Sequence, residues 1–160
     1  MEILDLYDDN FNKLDETIVR GSKIGSGKNI MLVVVFIKSK KGKYLVQKTS
    51  IEKGGYYSTT GGHVLSGEDK EISIIREIKE ELGIDIDIDE LKYVDTIKYP
   101  SKPCIFNIYL LNKDIDISKL VLQDEEVMSV EWLSDTEIEE LINDNKFLES
   151  HGYIFDNYIK

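Results

Sequence analysis

The sequence predicts an α/β sandwich of the mixed α+β kind, with helices packed around a mixed β-sheet, and three observations carry that prediction. Ile30-Met31-Leu32-Val33-Val34-Val35-Phe36-Ile37 is a continuous, largely β-branched run, which suits a strand buried on both faces better than a helix. Other short strand-like segments outnumber the helical ones, and the helical ones are few and separated. Neither repeats nor a linker divide the 160 residues, so 1–160 reads as one domain, able to bury roughly two-thirds of its unfolded surface.

In chain order, residues 2–20 alternate loosely about the turn-prone Asp8-Asp9-Asn10, which predicts an N-terminal hairpin or arm within 1–25. The apolar stretch 2–7 could pair with its own sheet or with a second copy, as in a homodimer. After the 30–37 strand, Ser39–Lys43 with Gly42 turns the chain back into Tyr44–Lys48. A glycine-bearing loop at 53–63 leads to a helix from about Asp69 to Leu82, closed by Gly83 where a left-handed cap is favoured. Strands are expected at 84–88, 92–98, 104–112 and 127–132. Ser134 and Glu137 form a capping box for a helix through about Asn143, and a last short helix covers 147–158.

Thirty-one acidic against 20 basic residues give a net charge of −11, which repels a polynucleotide backbone and argues against a nucleic-acid partner. An anionic ligand would need divalent cations as a bridge to so acidic a protein. One cysteine, Cys104, excludes an internal disulfide. Met1–Asn10 is acidic where a secretory signal is basic and then apolar, and Ile30–Ile37 is too short to span a bilayer. The expectation is a cytoplasmic protein without a membrane partner.

The chemistry lies in GHVLSGEDKEISIIREIKEELGI, residues 62–84. At about 100° per residue, Ile72, Ile75, Ile78 and Leu82 share one helix face, while Glu77, Glu80 and Glu81 converge on a patch pointing almost the opposite way, toward solvent. Like charges at this spacing cost a bare helix a few tenths of a kcal/mol per pair, so the patch calls for a cation, and hard oxygen ligands suit Mg²⁺ or Mn²⁺. A merely solvated acidic face is the alternative. The flanking residues weigh against it: Gly61-Gly62 lets backbone approach a ligand, Gly83 ends the helix, and Arg76 can orient a carboxylate or meet a phosphate.

Gly62, Glu68 and Arg76-Glu77-Ile78-Lys79-Glu80-Glu81-Leu82-Gly83-Ile84 stand at the spacing of the Nudix box, and the segment resembles that hydrolase family without a departure. Leu4–Asp9, Arg20-Gly21 and Leu45-Val46-Gln47-Lys48 are similar to the N-terminal part of a Nudix subgroup related to isopentenyl diphosphate isomerases. The resemblance implies a mixed sheet between helices and metal-dependent hydrolysis of a phosphoanhydride bond in a nucleoside-diphosphate-linked or other small diphosphate compound. Glu77, Glu80, Glu81 and the Gly62 carbonyl would hold Mg²⁺ or Mn²⁺. Glu77 would be the general base, Arg76 would position it, and Glu68 would brace the loop. A carboxylate outside the box often completes such a site; Asp124, Glu125 and Glu126 are the candidates, and Glu126 the choice. The alternatives are an isopentenyl diphosphate isomerase-like enzyme and a non-catalytic ligand-binding module on the same scaffold. Such isomerases carry a cysteine where this chain has Gly61, and such modules lose box glutamates.

Other suggestive segments fall away. Gly21–Lys28 lacks the first glycine of a phosphate-binding loop and precedes a strand. Asp85, Asp87 and Asp89 start like a calcium loop, but Glu90 and Thr96 break the pattern, leaving a solvent-facing strand edge. His63 and His151 lack a partner at metal spacing, Cys104 reads as a small core residue, and Tyr56 and Tyr57 as packing.

Overall fold

Strand β3 (Ile30–Lys38) organises the fold because its neighbouring side chains point to opposite faces and both faces find a core. Val33, Val35 and Ile37 enter one core and Val34 and Phe36 the other, each at most 1% exposed. The computed structural model describes residues 1–123 and 125–160. Asp124 lies outside the described residues.

On the first core sits α1 (Lys70–Leu82), which contributes Ile74, Ile78 and Leu82. On the second sit α2 (Asp135–Asn143) through Ile138, and α3 (Glu149–Ile154) with the π-type turn Phe155–Ile159 through Ile154 and Phe155. Helices thus cover both faces of one sheet, an α/β/α sandwich.

Strands β4 (Tyr44–Thr49), β5 (Tyr57–Ser58), β7 (Leu91–Lys98) and β8 (Cys104–Asn112) give the sheet order β5-β4-β3-β8-β7. The β3–β8 pair is parallel, from Ile30↔Cys104 to Lys38↔Asn112, and the other pairs are antiparallel, so the sheet is mixed. Next to their turn, β3 and β4 pair at Lys38↔Tyr44, and then take different partners. β6 (Thr60–His63) lies along β3, with Gly62 opposite Val33, while β9 (Val127–Leu133) lies along β4. At the N-terminus β1 (Ile3–Tyr7) and β2 (Lys13–Val19) form the hairpin, and Tyr7 bridges to Asn29 at the start of β3. Among the described residues no helix is long and apolar enough to cross a membrane.

Three expectations are corrected. Residues 84–88 form no strand: the chain leaves Gly83 as a loop, and Asp87 caps a 3₁₀ turn, Ile88–Glu90, while Asp85 pairs with Lys79 at 3.2 Å. Part of the 53–63 loop is strand β6. The buried face of α1 is rotated from the expected one, because the helix leans its glutamates against β6: Ile72 is 54% exposed, whereas Glu77 and Glu81 are buried.

Phe155 is fully buried with its ring 5.6 Å from Phe36 and 5.2 Å from Tyr44, so it clamps the C-terminal helices to the sheet. Phe155→Ala should cost about 3–5 kcal/mol, read as a lower denaturation midpoint in urea.

Candidate active site

Helix α1 is set in place at both ends. The Asp69 carboxylate accepts the Ile72 N–H at 2.8 Å, and Gly83, at φ 74°, donates its own N–H to Lys79 O. A side chain at Gly83 would also meet Val121 Cβ at 2.7 Å. The helix therefore crosses β6 at one height, where its inward turn carries Glu77 and Glu81.

Gly62 makes the room for them. A Cβ at position 62 would fall on the carboxylate of Glu77, so the space a side chain would take is filled by the acid. Glu77 is 9% and Glu81 7% exposed, and the two carboxyls are neighbours. Burial raises both carboxyls above their ordinary range, Glu81 well above it, with the neighbouring Glu77 charge adding to the Glu81 shift.

The remaining oxygens are held by specific donors. Gln47 Nε2 donates to Glu81 Oε1 at 2.6 Å, and Thr60 Oγ1 donates to Gln47 Oε1 at 3.0 Å, which orients the amide with its donor side toward the acid. Arg76 holds the other end of the cluster. Its Nε and Nη2 bind Glu68 at 2.8 and 2.9 Å, Nη1 reaches Glu77 at 2.9 Å and Glu80 at 3.2 Å, and Nη2 also donates to His63 O at 2.9 Å. Those five bonds match the five N–H groups of a guanidinium, so none is left for a phosphate. Glu68 also accepts from Ser73 Oγ and Leu65 N; burial opposes its charge, but these donors together with Arg76 outweigh burial and keep its carboxyl below the ordinary range.

These groups face a cavity of about 130 Å³ lined by Glu2, Arg20, Gly61, Gly62, His63, Glu77, Glu80, Glu81, Gln123 and Glu126. Of the acidic turn before β9, Glu126 reaches the cavity and pairs with Lys53 at 3.4 Å, while Glu125 offers its carbonyl to Ser50 Oγ. His63 borders the same space, and burial, reinforced by Arg20, lowers its pKa to about 4, so it is neutral at pH 7. Tyr56 and Tyr57 lie elsewhere. Of the residues the sequence points to, Glu77, Glu80, Glu81, Gly62 and Glu126 border this cavity; Gln123, Glu2 and Arg20, to which it gives no role, border it too, and Gln47, which holds Glu81, is also missed. A polar Gln47 amid apolar Tyr44-Leu45-Val46 was a legible sign; the others depend on how distant segments meet.

Among the described residues no three His, Cys, Asp or Glu side chains stand ready as a metal cage. The donor set nevertheless fits a hard divalent cation. Two buried carboxyls whose charged forms burial disfavours would gain from such an ion's positive charge, and Glu80 lies beside them.

The chain matches the NUDIX domain over residues 28–157. It is similar to an uncharacterized Nudix hydrolase of Listeria innocua, 31% identical over 163 residues, with 99% of this chain and 94% of the relative covered. DR0079 of Deinococcus radiodurans shares the fold at a TM-score of 0.77 and 21% identity, covering 91% of each chain. A bifunctional NMN adenylyltransferase/ADP ribose pyrophosphatase of Francisella tularensis, complexed with AMP and a manganese ion, superposes at a TM-score of 0.65 and 21% identity, over 80% of this chain and 40% of that one.

A raised folded-state pKa stabilises the fold below the unfolded value, and that contribution is lost as pH rises through the folded value. Glu81→Gln keeps the shape and can still accept from Gln47, but it carries no charge. With divalent cations chelated, the variant should melt above wild type at about pH 8, and the gap should shrink toward about pH 5. Equal melting temperatures at both pH values would contradict a strained Glu77–Glu81 pair.

Proposed function

This chain belongs to the Nudix family and is a hydrolase, and from that premise we propose that it uses Mg²⁺ or Mn²⁺ to cleave a phosphoanhydride bond in a small diphosphate compound, nucleoside-diphosphate-linked molecules among them. The observation that carries this reading is the buried Glu77–Glu81 pair seated on Gly62 at the wall of a small, carboxylate-lined cavity. The manganese ion and AMP in the Francisella tularensis relative agree with it.

Glu77, Glu80, Glu81 and the Gly62 carbonyl would hold the cation, with Glu126 facing them across the cavity. When bound, the metal supplies charge neutralisation of the diphosphate and a water of lowered pKa as nucleophile. The protein's own residues do the rest. Arg76 holds Glu77, the residue that would act as general base, through Oε1, and Gln47 fixes Glu81 with the amide orientation set by Thr60. Neutral His63 adds no charge beside the phosphates.

Isomerisation of isopentenyl diphosphate meets a steric objection at Gly61. A Cβ there would stand 2.5 Å from Val33 O and 3.3 Å from Val34 Cα, so the cysteine of the isomerases would force β6 away from β3. The retained box glutamates favour catalysis over a binding module.

With Mg²⁺ or Mn²⁺, the protein should release phosphate or monophosphate from at least one member of a panel of nucleotide sugars, nucleoside triphosphates, dinucleoside polyphosphates and prenyl diphosphates. Chelation should abolish the release. Glu77→Gln should lower turnover by about 10²–10⁴-fold, the usual contribution of a general base, with the fold intact by circular dichroism. Isopentenyl diphosphate should yield no dimethylallyl isomer. No release across the panel would sink the hydrolytic reading.

A further inference from the structure

We propose that Arg20 is a substrate-binding residue, whose guanidinium takes the phosphate not under attack, and that Glu2 is the carboxylate it holds until that phosphate arrives. This rests on the diphosphate reading above and adds the residue that would recognise the second phosphate.

Five carboxylates, Glu2, Glu77, Glu80, Glu81 and Glu126, border the cavity, and Arg20 is the cationic side chain among its described lining residues. Metal held by the box glutamates would answer one side of a diphosphate, so a cation is needed on the other. Arg76 cannot serve, since its five donors are committed within the protein. Arg20 differs in this respect. Its side chain is about half exposed (49%), and among the described residues it has one acceptor, Glu2 Oε1, reached from Nη1 at 2.6 Å. The rest of its fork remains available for the bidentate geometry that suits phosphate oxygens.

Arg20 is also held in position. It follows β2, and its N–H donates to Glu2 O at 3.0 Å, so both members of the pair are fixed where the two hairpin strands end side by side. The hairpin in turn is fastened to the box loop. Ser66 N donates to Ile3 O at 2.8 Å, Ser66 Oγ to Asp5 Oδ1 at 2.8 Å, and Gly67 N to Asp5 Oδ2 at 3.1 Å, with Asp5 only 5% exposed. The neighbouring Glu68 anchors Arg76. One loop therefore sets the height of both the carboxylate cluster and the cation across from it. No aromatic side chain stands among the described lining residues, so the cavity recognises phosphate charge and leaves the organic part of the substrate at its mouth.

The test uses Arg20→Ala, Arg20→Lys and Glu2→Gln, each checked for an unchanged melting temperature. Arg20→Ala should raise KM for the substrate found in the panel by about 10–100-fold, the loss expected for a charged hydrogen-bonding partner, while kcat changes by less than about 3-fold. Affinity for inorganic diphosphate, measured by calorimetry with Mg²⁺, should fall by a similar factor, and Arg20→Lys should restore part of it. Glu2→Gln should leave that affinity unchanged or tighter, because it frees the guanidinium. Two results would overturn the proposal: diphosphate affinity of Arg20→Ala within about 2-fold of wild type, or Glu2→Gln weakening binding as much as Arg20→Ala, which would make the pair purely structural. A wild type that hydrolyses nothing in the panel would sink the parent reading, and the diphosphate titration would still decide the role of Arg20.

Discussion

A carboxylate can be seated beneath a helix only if the surface it meets leaves room for it, and at Gly62 the backbone of β6 leaves that room. Because position 62 lacks a Cβ, Glu77 lies directly on the strand, and Glu81, one turn later, comes down beside it. Everything else at the site follows from this approach. The helix is rotated so that its glutamates face the sheet, Ile72 is turned outward in exchange, and Ile74, Ile78 and Leu82 fill the core below. A methyl group at this one position would take the space of the Glu77 carboxylate and push it aside.

Bringing acids out of water has an electrostatic cost that the surroundings answer unequally. On the Arg76 side, Glu68, Glu77 and Glu80 surround a guanidinium with no donor to spare, so one positive charge is shared among three carboxylates. On the Glu81 side the partner is an amide, Gln47, which donates a hydrogen bond but no charge. The shortfall of positive charge is therefore greatest at Glu81, whose pKa is raised the more strongly of the buried pair. A divalent cation would be the simplest counterweight to that imbalance.

The hairpin brings Glu2 and Arg20 to the edge of the site. Two strands that would otherwise trail from the sheet are stapled through Asp5 to Ser66 and Gly67, and through Tyr7 to Asn29. Without those bonds Arg20, some forty residues before Gly62 in sequence, would have no reason to border the same cavity.

The sequence by itself determined the sandwich, the two-faced strand β3, the limits of α1 and α2 and the box residues, because each rests on local rules: strand alternation, a capping side chain, a left-handed glycine, a fixed spacing of acids. It also singled out Glu126, a carboxylate outside the box that does reach the cavity. Only the tertiary structure decided which way the glutamates face, since helical periodicity gives the angle between side chains but not the angle of the helix on its sheet. Likewise, the commitment of all five Arg76 donors, the Thr60–Gln47–Glu81 chain and the meeting of Arg20 with the carboxylates join residues far apart in sequence. Contacts of that kind are set by strand register and by the stapling of the hairpin, which no local pattern encodes.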